Sequence, residues 1–241
     1  MNEVLKQLCE RKSTRVFTDK KITDEQKEII LNAAMQAPTA GNQQLYTIID
    51  VTDQKIKEKL VETCDGQPFI AKAKMVLIFC ADCQKWYDAY CVAGAAPRKA
   101  GVGDLMLAVS DANIAAQNAV QAAHSLGIGS CYIGDVMENC EQHRQLLNLP
   151  DYVMPAAMLV FGYPAENQIA RPKPQRAELK HIVHENSYRK MEEKELREMF
   201  AKRSAAQGFD KYMKEFCERK YNSDFSREMT ASVKEYIEKF K

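Results

Sequence analysis

Residues 104–126 read DLMLAVSDANIAAQNAVQAAHSL, and this stretch decides the fold. Beyond Asp111 it contains no Asp, Glu, Lys or Arg, and alanine is its commonest residue. Apolar side chains cover most of such a helix, which is typical of a helix that is buried nearly all round. We therefore predict a helix over 104–126 that forms the core or a dimer contact. Its amide side chains require buried partners, and they belong to Asn113, Gln117 and Gln121.

The elements around this helix follow from hydrophobic patterning. Continuous apolar runs at 75–81 and 154–162 are typical of strands buried on both faces. Thr23 and Gln26 form a capping box that starts another helix. Further strands are predicted over 45–51 and 130–133, and further helices over 2–9, 54–62, 85–92 and 139–147. Three amphipathic helices are predicted after residue 188.

Length and charge exclude several classes of protein. The chain has 241 residues, which suits one large domain or two small ones. Its net charge of +1 gives no global attraction to nucleic acid or to an anionic membrane, so we expect neither as a partner. The first residues lack the apolar segment of a signal peptide, and no apolar run is long enough for a bilayer. We therefore expect a cytoplasmic protein.

The cysteines and histidines do not indicate a metal centre. Eight cysteines in a chain of this length do not form a disulfide scaffold. Cys80 and Cys83 form a C-x-x-C pair without the second pair or the two histidines that a zinc site needs. We expect reduced, mainly structural thiols and no metal, and a redox role of Cys80 and Cys83 stays open.

Two basic stretches are candidates for binding an anion. Residues 11–15 read RKSTR, and in an extended chain Arg11, Ser13 and Arg15 share one face. Two guanidinium groups beside a hydroxyl suit a dianionic phosphate, although a solvated basic surface is the alternative. In the second stretch, at 168–176, prolines separate the cations and fix the backbone. The alternative for this second stretch is a basic linker.

Two loops complete the candidate site. Residues 38–44 read PTAGNQQ, which is either an ordinary connector or a backbone-rich loop that lies against a planar ligand. Residues 93–103 form either a lid or a tolerated insertion. The sequence has no nucleophile elbow, P-loop or H-E-x-x-H motif. A bound cofactor with a flat ring and a phosphate tail would therefore carry the chemistry.

Several ordered motifs are similar to one family. Arg11-x-Ser13-x-Arg15 before Val16-Phe17 resembles the opening of the FMN-dependent nitroreductases, and so does the helix that ends in Ala37-Pro38-Thr39-Ala40-Gly41-Asn42-x-Gln44. Gly127-Ile128-Gly129-x-x-Tyr132-Ile133-Gly134 resembles a strand of that family. Phe161-Gly162-Tyr163-Pro164, then Arg171-Pro172-Lys173 and His184-Glu185-Asn186-Ser187-Tyr188, resembles its larger NADPH-preferring branch, which includes flavin reductases.

The resemblance implies an α+β fold with a central mixed β-sheet flanked by helices, in an intertwined homodimer. Residues 1–188 would form the FMN-binding core, and residues 189–241 a helical extension that packs on the core or the partner subunit. FMN would lie at the subunit interface. By position, its phosphate and ribityl chain would be held by Arg11, Lys12, Ser13, Arg15, Arg171 and Lys173. Its ring would be lined by Gln67, Tyr132, Ile133, Gly134 and Asp135, and by Thr39, Ala40, Asn42 and Gln44 of the other subunit.

The resemblance also implies an activity. NADPH or NADH would give hydride to N5 of FMN, and an electron-poor acceptor would then take the same place in a ping-pong cycle. Nitroaromatics, quinones and free flavin are such acceptors. No catalytic acid or base is obligatory, Arg15 is a candidate to stabilise charge on the flavin, and Arg219 is the candidate for the NADPH phosphate. The alternatives are an FMN-binding module with a non-reductase role, such as flavin storage or flavin-consuming chemistry, and a dimeric scaffold without enzyme activity.

Overall fold

The computed structural model describes residues 1–241 and contains eleven α-helices and four β-strands. In chain order these are α1 (Glu3–Glu10), α2 (Asp24–Met35), β1 (Tyr46–Asp50), α3 (Gln54–Thr63), α4 (Phe69–Lys72), β2 (Met75–Asp82), α5 (Gln84–Val92), α6 (Val102–Ser125), β3 (Gly129–Ile133), α7 (Cys140–Leu147), β4 (Val153–Gly162), α8 (Glu166–Ala170), α9 (Glu193–Ser204), α10 (Phe209–Lys220) and α11 (Asp224–Glu238). None of these helices combines the length and the hydropathy that crossing a bilayer requires.

The predicted elements are confirmed with end shifts of one or two residues. Thr23 and Gln26 make the predicted capping box at the start of α2. The sequence reading missed α4 and α8, which have four and five residues. Neither helix is long enough to show a helical repeat of apolar positions, so hydrophobic periodicity could not predict them.

The sheet has the strand order β1-β2-β4-β3, and every pair of neighbouring strands is antiparallel. The expectation of a mixed sheet is therefore wrong. The one parallel pairing beside the sheet is an isolated bridge between Ser13 and Ser130, which is too short to form a strand. Every residue of the two central strands β2 and β4 is buried, as their unbroken apolar runs predict.

The central helix α6 packs with its alanine face against this sheet and against α2. Its buried face includes Ala112, Ala115, Ala116, Ala119 and Ala123. Each of the three predicted amides makes a hydrogen bond, but Gln121 Oε1 is buried without a partner. Asn113 donates to the Val109 carbonyl, Gln121 donates to the Gln7 side chain, and Gln117 accepts from the Tyr132 hydroxyl. The small alanine side chains on the buried face of α6 allow the sheet and α2 to pack close to the axis of this helix.

The chain forms two compact units. The first comprises Met1–Pro172 and Glu228–Lys241, and it contains the sheet. Helix α11 belongs to this unit from Glu228 onward, and in this unit Tyr236 and Phe240 are buried in a cluster with the start of α6. The second unit, Lys173–Arg227, contains α9 and α10, which an Arg197–Asp210 ion pair of 3.0 Å connects. These boundaries differ from residue 188, and the division into a binding core and an extension stays a prediction.

Candidate active site

Residues 11–18, the basic segment, lie in extended conformation beside the outer strand β3. The Thr14 N–H donates to the Ser130 carbonyl at 2.9 Å, and the Thr18 N–H donates to the Tyr163 carbonyl at 2.8 Å. Between them, the Ala165 N–H donates to the Val16 carbonyl at 3.1 Å. The backbone of the segment is thus fixed to both β3 and the end of β4.

Two glycines make room for the basic segment. Gly129 and Gly162 face each other across β3 and β4. A Cβ atom on Gly129 would lie 2.4 Å from Thr14 Oγ1, and one on Gly162 would lie 2.7 Å from the Phe17 ring. Both distances are far below van der Waals contact, so the close approach of the segment depends on these two glycines.

The side chains of the basic segment alternate as predicted. Thr14 is buried against Gly129, while Arg11, Ser13 and Arg15 all act on the thiol of Cys131. Burial raises the pKa of Cys131, and the charges of Arg15 and Arg11 and a hydrogen bond with Ser13 oppose that rise. Burial likewise raises the pKa of the Tyr132 phenol to about 12, against the charge of Arg11. Two cations and a hydroxyl therefore converge beside β3.

Arg11 presents a buried donor without an acceptor. Its Nη1 atom is shielded from solvent and has no hydrogen-bond partner in the protein. A buried charged donor without an acceptor is costly, so an anion that accepts from it would recover that cost. Arg15 lies beside it, with its guanidinium carbon 5.9 Å from the centre of the Phe69 ring. The donor set suits a phosphate group.

Lys12 connects the basic segment to the second basic stretch. Its ammonium donates to the carbonyl oxygens of Ile169, at 2.7 Å, and of Arg171. The Arg15 N–H donates to Gln168 Oε1 at 2.9 Å, which adds a second connection. The structure therefore brings Arg171 to the basic segment, with the Lys12 ammonium engaged by backbone carbonyls.

Two further predicted cations lie in the second unit. Lys173 is the first residue of that unit. The Arg219 guanidinium lies 5.1 Å from the centre of the Phe216 ring and lines a cavity of about 400 Å³ with Tyr212 and Glu215. The roles of Lys173 at the FMN phosphate and of Arg219 at NADPH stay predictions.

Asp111, which the sequence reading passed over, organises the amide loop (residues 38–45). This buried carboxylate on α6 accepts from the Thr39 hydroxyl, from the Ala40 N–H at 3.1 Å and from the Leu45 N–H at 3.2 Å. Thr39 Oγ1 in turn accepts from the Gln44 N–H at 2.7 Å. One carboxylate therefore fixes both ends of the loop.

The amide loop is strained at its tip. Gly41, Asn42 and Gln44 all have positive φ, at 57°, 56° and 51°. Glycine and asparagine tolerate this region, whereas glutamine pays a steric cost there, so surrounding contacts must impose it. The side chains of Asn42 and Gln44 are exposed, and they are therefore free to contact a ligand or a second chain.

The predicted ring-lining residues Gln67 and Asp135 contact each other. Gln67 Nε2 donates to Asp135 and, at 3.0 Å, to the Cys64 carbonyl. Ile133 at the end of β3 is buried and Gly134 after it is exposed, so the chain emerges at the surface here.

Two unpredicted carboxylates, Asp65 and Glu138, lie beside Asp135, and one ligand oxygen from each of the three lies within 4.8 Å of the others. Burial and the charges of Asp65, Asp135 and Glu228 raise the pKa of Glu138 to about 8. Asp65 precedes Asp135 by 70 residues of sequence, so no local pattern connects it to Asp135 and Glu138.

The predicted lid at 93–103 borders a cavity of about 470 Å³, which Gln43 and Leu45 of the amide loop also line. Its walls include three aromatic side chains of α5, those of Trp86, Tyr87 and Tyr90. Arg98 and Asp104 form a two-pronged ion pair of 2.6 and 2.9 Å that ties the segment to α6. The function of this segment as a lid stays a prediction.

Comparison with known proteins agrees with this architecture. Residues 8–163 match the model of the Nitroreductase family. The chain is 34% identical over 242 residues to "FMN reductase [NAD(P)H]" of Bacillus subtilis, covering 99% of this chain and 92% of that protein. It is 37% identical over 195 residues to the oxygen-insensitive NADPH nitroreductase of Salmonella typhimurium, covering 80% and 78% of the two chains.

A solved structure, that of Bacillus megaterium NfrA2, superimposes with a TM-score of 0.82 at 29% identity, covering 98% of each chain. The family match includes the basic segment, the amide loop, α6 and all four strands. The resemblance in the sequence motifs is thereby confirmed, and the chain belongs to the nitroreductase family.

Proposed function

We propose that this protein is an FMN-dependent NAD(P)H oxidoreductase that reduces electron-poor small molecules such as nitroaromatics, quinones or free flavin. The observation that carries the proposal is the buried, unpartnered Nη1 of Arg11 beside Arg15 and Ser13. Relatives that bear the names FMN reductase and NADPH nitroreductase over most of the chain support it. FMN thus fits the residues that are present.

In this proposal different parts of the site bind different parts of FMN, and Arg15 acts on both the phosphate and the ring. Arg11, Ser13 and Arg15 hold the phosphate of FMN, with Arg171 close by and Lys12 bracing the backbone. Gln67 and residues 132–135 line the flavin ring. Bound FMN would supply the ability to accept hydride from NAD(P)H and to pass it on. The side chains orient the ring and, at Arg15, stabilise negative charge on it.

We further propose that the protein is a homodimer whose amide loop reaches the site of the partner subunit. Large apolar side chains are exposed on α1 and α6, with Met106 at 61% and Val4 at 57%. A Gln121–Gln7 hydrogen bond of 2.8 Å joins these two helices into one surface. An apolar patch of this kind is typical of an interface. The other members of the patch are Leu5, Leu8, Leu107 and Ile114.

Spectroscopy tests the cofactor and the activity together. The purified protein is expected to carry flavin absorbance bands, which NADPH or NADH bleaches without oxygen and an electron-poor acceptor restores. A protein that binds FMN but leaves NAD(P)H unoxidised with every acceptor would support the non-reductase alternative. A colourless protein that takes up no FMN in titration would refute the proposal.

The phosphate grip is tested by Arg11→Gln. Loss of one charge-assisted hydrogen bond costs about 1.5–3 kcal/mol, which corresponds to roughly tenfold to hundredfold weaker FMN binding. Arg203→Gln, the same substitution on the exposed surface of α9, is the matched control and should bind FMN like the parent. Equal affinity of Arg11→Gln and Arg203→Gln would contradict the assignment.

Mixed dimers test whether two chains build one site. Arg11→Gln chains and chains with Asn42→Ala and Gln44→Ala are co-expressed with different affinity tags. A mixed dimer then contains one fully intact site and one doubly altered site. We expect tight FMN binding at about half of the parent stoichiometry. If each chain built its own site, no mixed dimer would regain a tight site.

The dinucleotide preference is a separate question. Arg219→Gln should raise KM for NADPH and leave KM for NADH unchanged if Arg219 binds the additional phosphate of NADPH. An equal change for both dinucleotides would remove that role from Arg219.

A further inference from the structure

The acidic cluster, formed by Asp65, Asp135 and Glu138, is the feature that the proposed redox function leaves unexplained. One ligand oxygen from each side chain lies within 4.8 Å of the other two. Glu138 is only 3% exposed, and its Oε1 atom is buried without any hydrogen-bond donor. Carboxylates at such distances repel each other when they are ionised, and a cation between them would remove that repulsion.

Neutral contacts hold the cluster together. Asn139, next to Glu138, donates from its side chain to the Thr63 carbonyl at 3.0 Å, two residues before Asp65. His143 bonds to Thr63 Oγ1 at 2.8 Å and to the Val136 carbonyl at 2.9 Å. These bonds connect the end of α3 to α7 and to the segment before it, which keeps the segments that carry Asp65 and Glu138 next to each other.

Two carboxylates in this region accept hydrogen bonds from neutral donors. Gln67 donates an amide N–H to Asp135, and the Asn139 backbone N–H donates at 2.8 Å to Glu228, a fourth carboxylate near Glu138. Glu228 Oε2 is a second buried oxygen without a partner. Oriented ligands with a net negative charge are the arrangement that proteins use around a bound metal ion.

We propose that Asp65, Asp135 and Glu138 bind a hard divalent cation of the calcium, magnesium or manganese type. Such ions take carboxylate oxygens at about 2.0–2.6 Å, so that ligands on opposite sides lie about 4–5 Å apart, which agrees with the observed spacing. The cluster contains oxygen ligands alone, which disfavours softer metals. The exposed Asp65 leaves a path for the ion from solvent, and water completes the coordination.

The bound ion would tie the turn after α3 to the segment after β3. Both segments carry residues that are expected to line the flavin ring, Gln67 and Asp135. With one ligand exposed, we expect a dissociation constant on the order of 0.1–1 mM, at the weak end of the range for protein calcium sites.

The test uses full-length, FMN-loaded protein that is first freed of metal with EDTA and then dialysed. Mn²⁺ is titrated while its electron paramagnetic resonance signal reports the free ion, and thermal unfolding is followed with Ca²⁺, Mg²⁺ or Mn²⁺ at constant ionic strength. We expect saturable binding of one Mn²⁺ per chain and a rise in Tm of a few degrees.

Glu138→Gln should weaken Mn²⁺ binding at least tenfold and abolish the rise in Tm. Glu141→Gln, on the exposed face of α7, is the matched control and should behave like the parent. If Glu138→Gln does not fold, Asp65→Asn at the exposed edge replaces it, with the same expected loss. Equal Mn²⁺ binding by parent and variants, or no effect of any divalent cation on Tm, would overturn the proposal. The FMN spectrum is recorded in parallel, so a failure here is distinct from a failure of the redox function.

Discussion

Replacing Gly129 by alanine should displace the basic segment and weaken FMN binding. The new Cβ atom would lie 2.4 Å from Thr14 Oγ1 and 2.7 Å from Thr14 Cβ. Ordinary contact begins at 3.4 Å, so Thr14 must retreat by about 1.0 Å, the difference between 3.4 and 2.4 Å. Backbone shifts of this kind cost about 1–3 kcal/mol of folding stability.

The consequence for FMN follows from the position of Thr14 between Ser13 and Arg15. If the displacement breaks one charge-assisted hydrogen bond, FMN affinity should fall roughly tenfold to a hundredfold. Quenching of flavin fluorescence measures the dissociation constant, and urea unfolding measures the free energy of unfolding. Gly103→Ala is the matched control, because nothing lies within 4 Å of its new Cβ atom on α6.

A compensating variant makes this test sharper. Thr14→Gly removes the atoms that Gly129→Ala would strike, so the double variant should bind FMN more tightly than Gly129→Ala alone. The reasoning would be refuted if Gly129→Ala bound FMN like the parent while losing stability. It would also be refuted if Thr14→Gly gave no recovery, since the clash would then not be the cause.

Three further predictions concern groups away from the glycine contact. Asp111→Asn should lower the free energy of unfolding by about 2–3 kcal/mol in urea titrations and make the amide loop more sensitive to protease, because an amide cannot accept from all three donors. Burial lowers the pKa of His143, so the folded state stays neutral where the unfolded chain takes up a proton, and stability should fall as pH drops below about 6.5. His143→Gln should flatten that slope between pH 7 and pH 5, and an unchanged slope would contradict this origin. Burial raises the pKa of Cys80 and of Cys83 to about 12, so both thiols should be unreactive in the native protein. A thiol reagent should therefore label only the exposed cysteines of the folded chain and label the other five after unfolding. Rapid labelling of Cys80 or Cys83 in the native protein would contradict this prediction. The exposed cysteines are Cys9, Cys91 and Cys217.

The parts of the fold that were predictable are those encoded by local periodicity. Burial could be predicted from one continuous stretch of sequence in three elements. These are α6 with its alanine-rich surface and the strands β2 and β4 with their unbroken apolar runs. Two short helices carried no such signal. The direction of the strands was not local either, and the expectation of a mixed sheet, which came from the family resemblance, was wrong.

The candidate site was predictable where its members are neighbours in sequence. The alternation of Arg11, Ser13 and Arg15 follows from an extended backbone, and their convergence on Cys131 agrees with it. Asp111 was missed because its partner Thr39 lies 72 residues away in the sequence. A single acidic residue in an apolar helix does not indicate that three donors of a distant loop will bind to it. Glu138 was missed because Asp65, with which it shares the acidic cluster, lies 73 residues earlier in the sequence.

The two halves of the proposed site are held by different physical means. The proposed phosphate site lies on the sheet, where the paired Gly129 and Gly162 leave room for the side chains of Thr14 and Phe17. Such a contact leaves a mark in the sequence, because glycine is conspicuous next to a strand. The amide loop instead keeps a strained backbone through one buried carboxylate on α6. A strained backbone persists only where surrounding contacts stabilise it. The amide loop therefore depends on Asp111, which lies far from it in the sequence and cannot be predicted from the sequence of the loop. A rigid grip at the phosphate end and a strained loop at the exposed end also suit a site that keeps its cofactor while exchanging substrates.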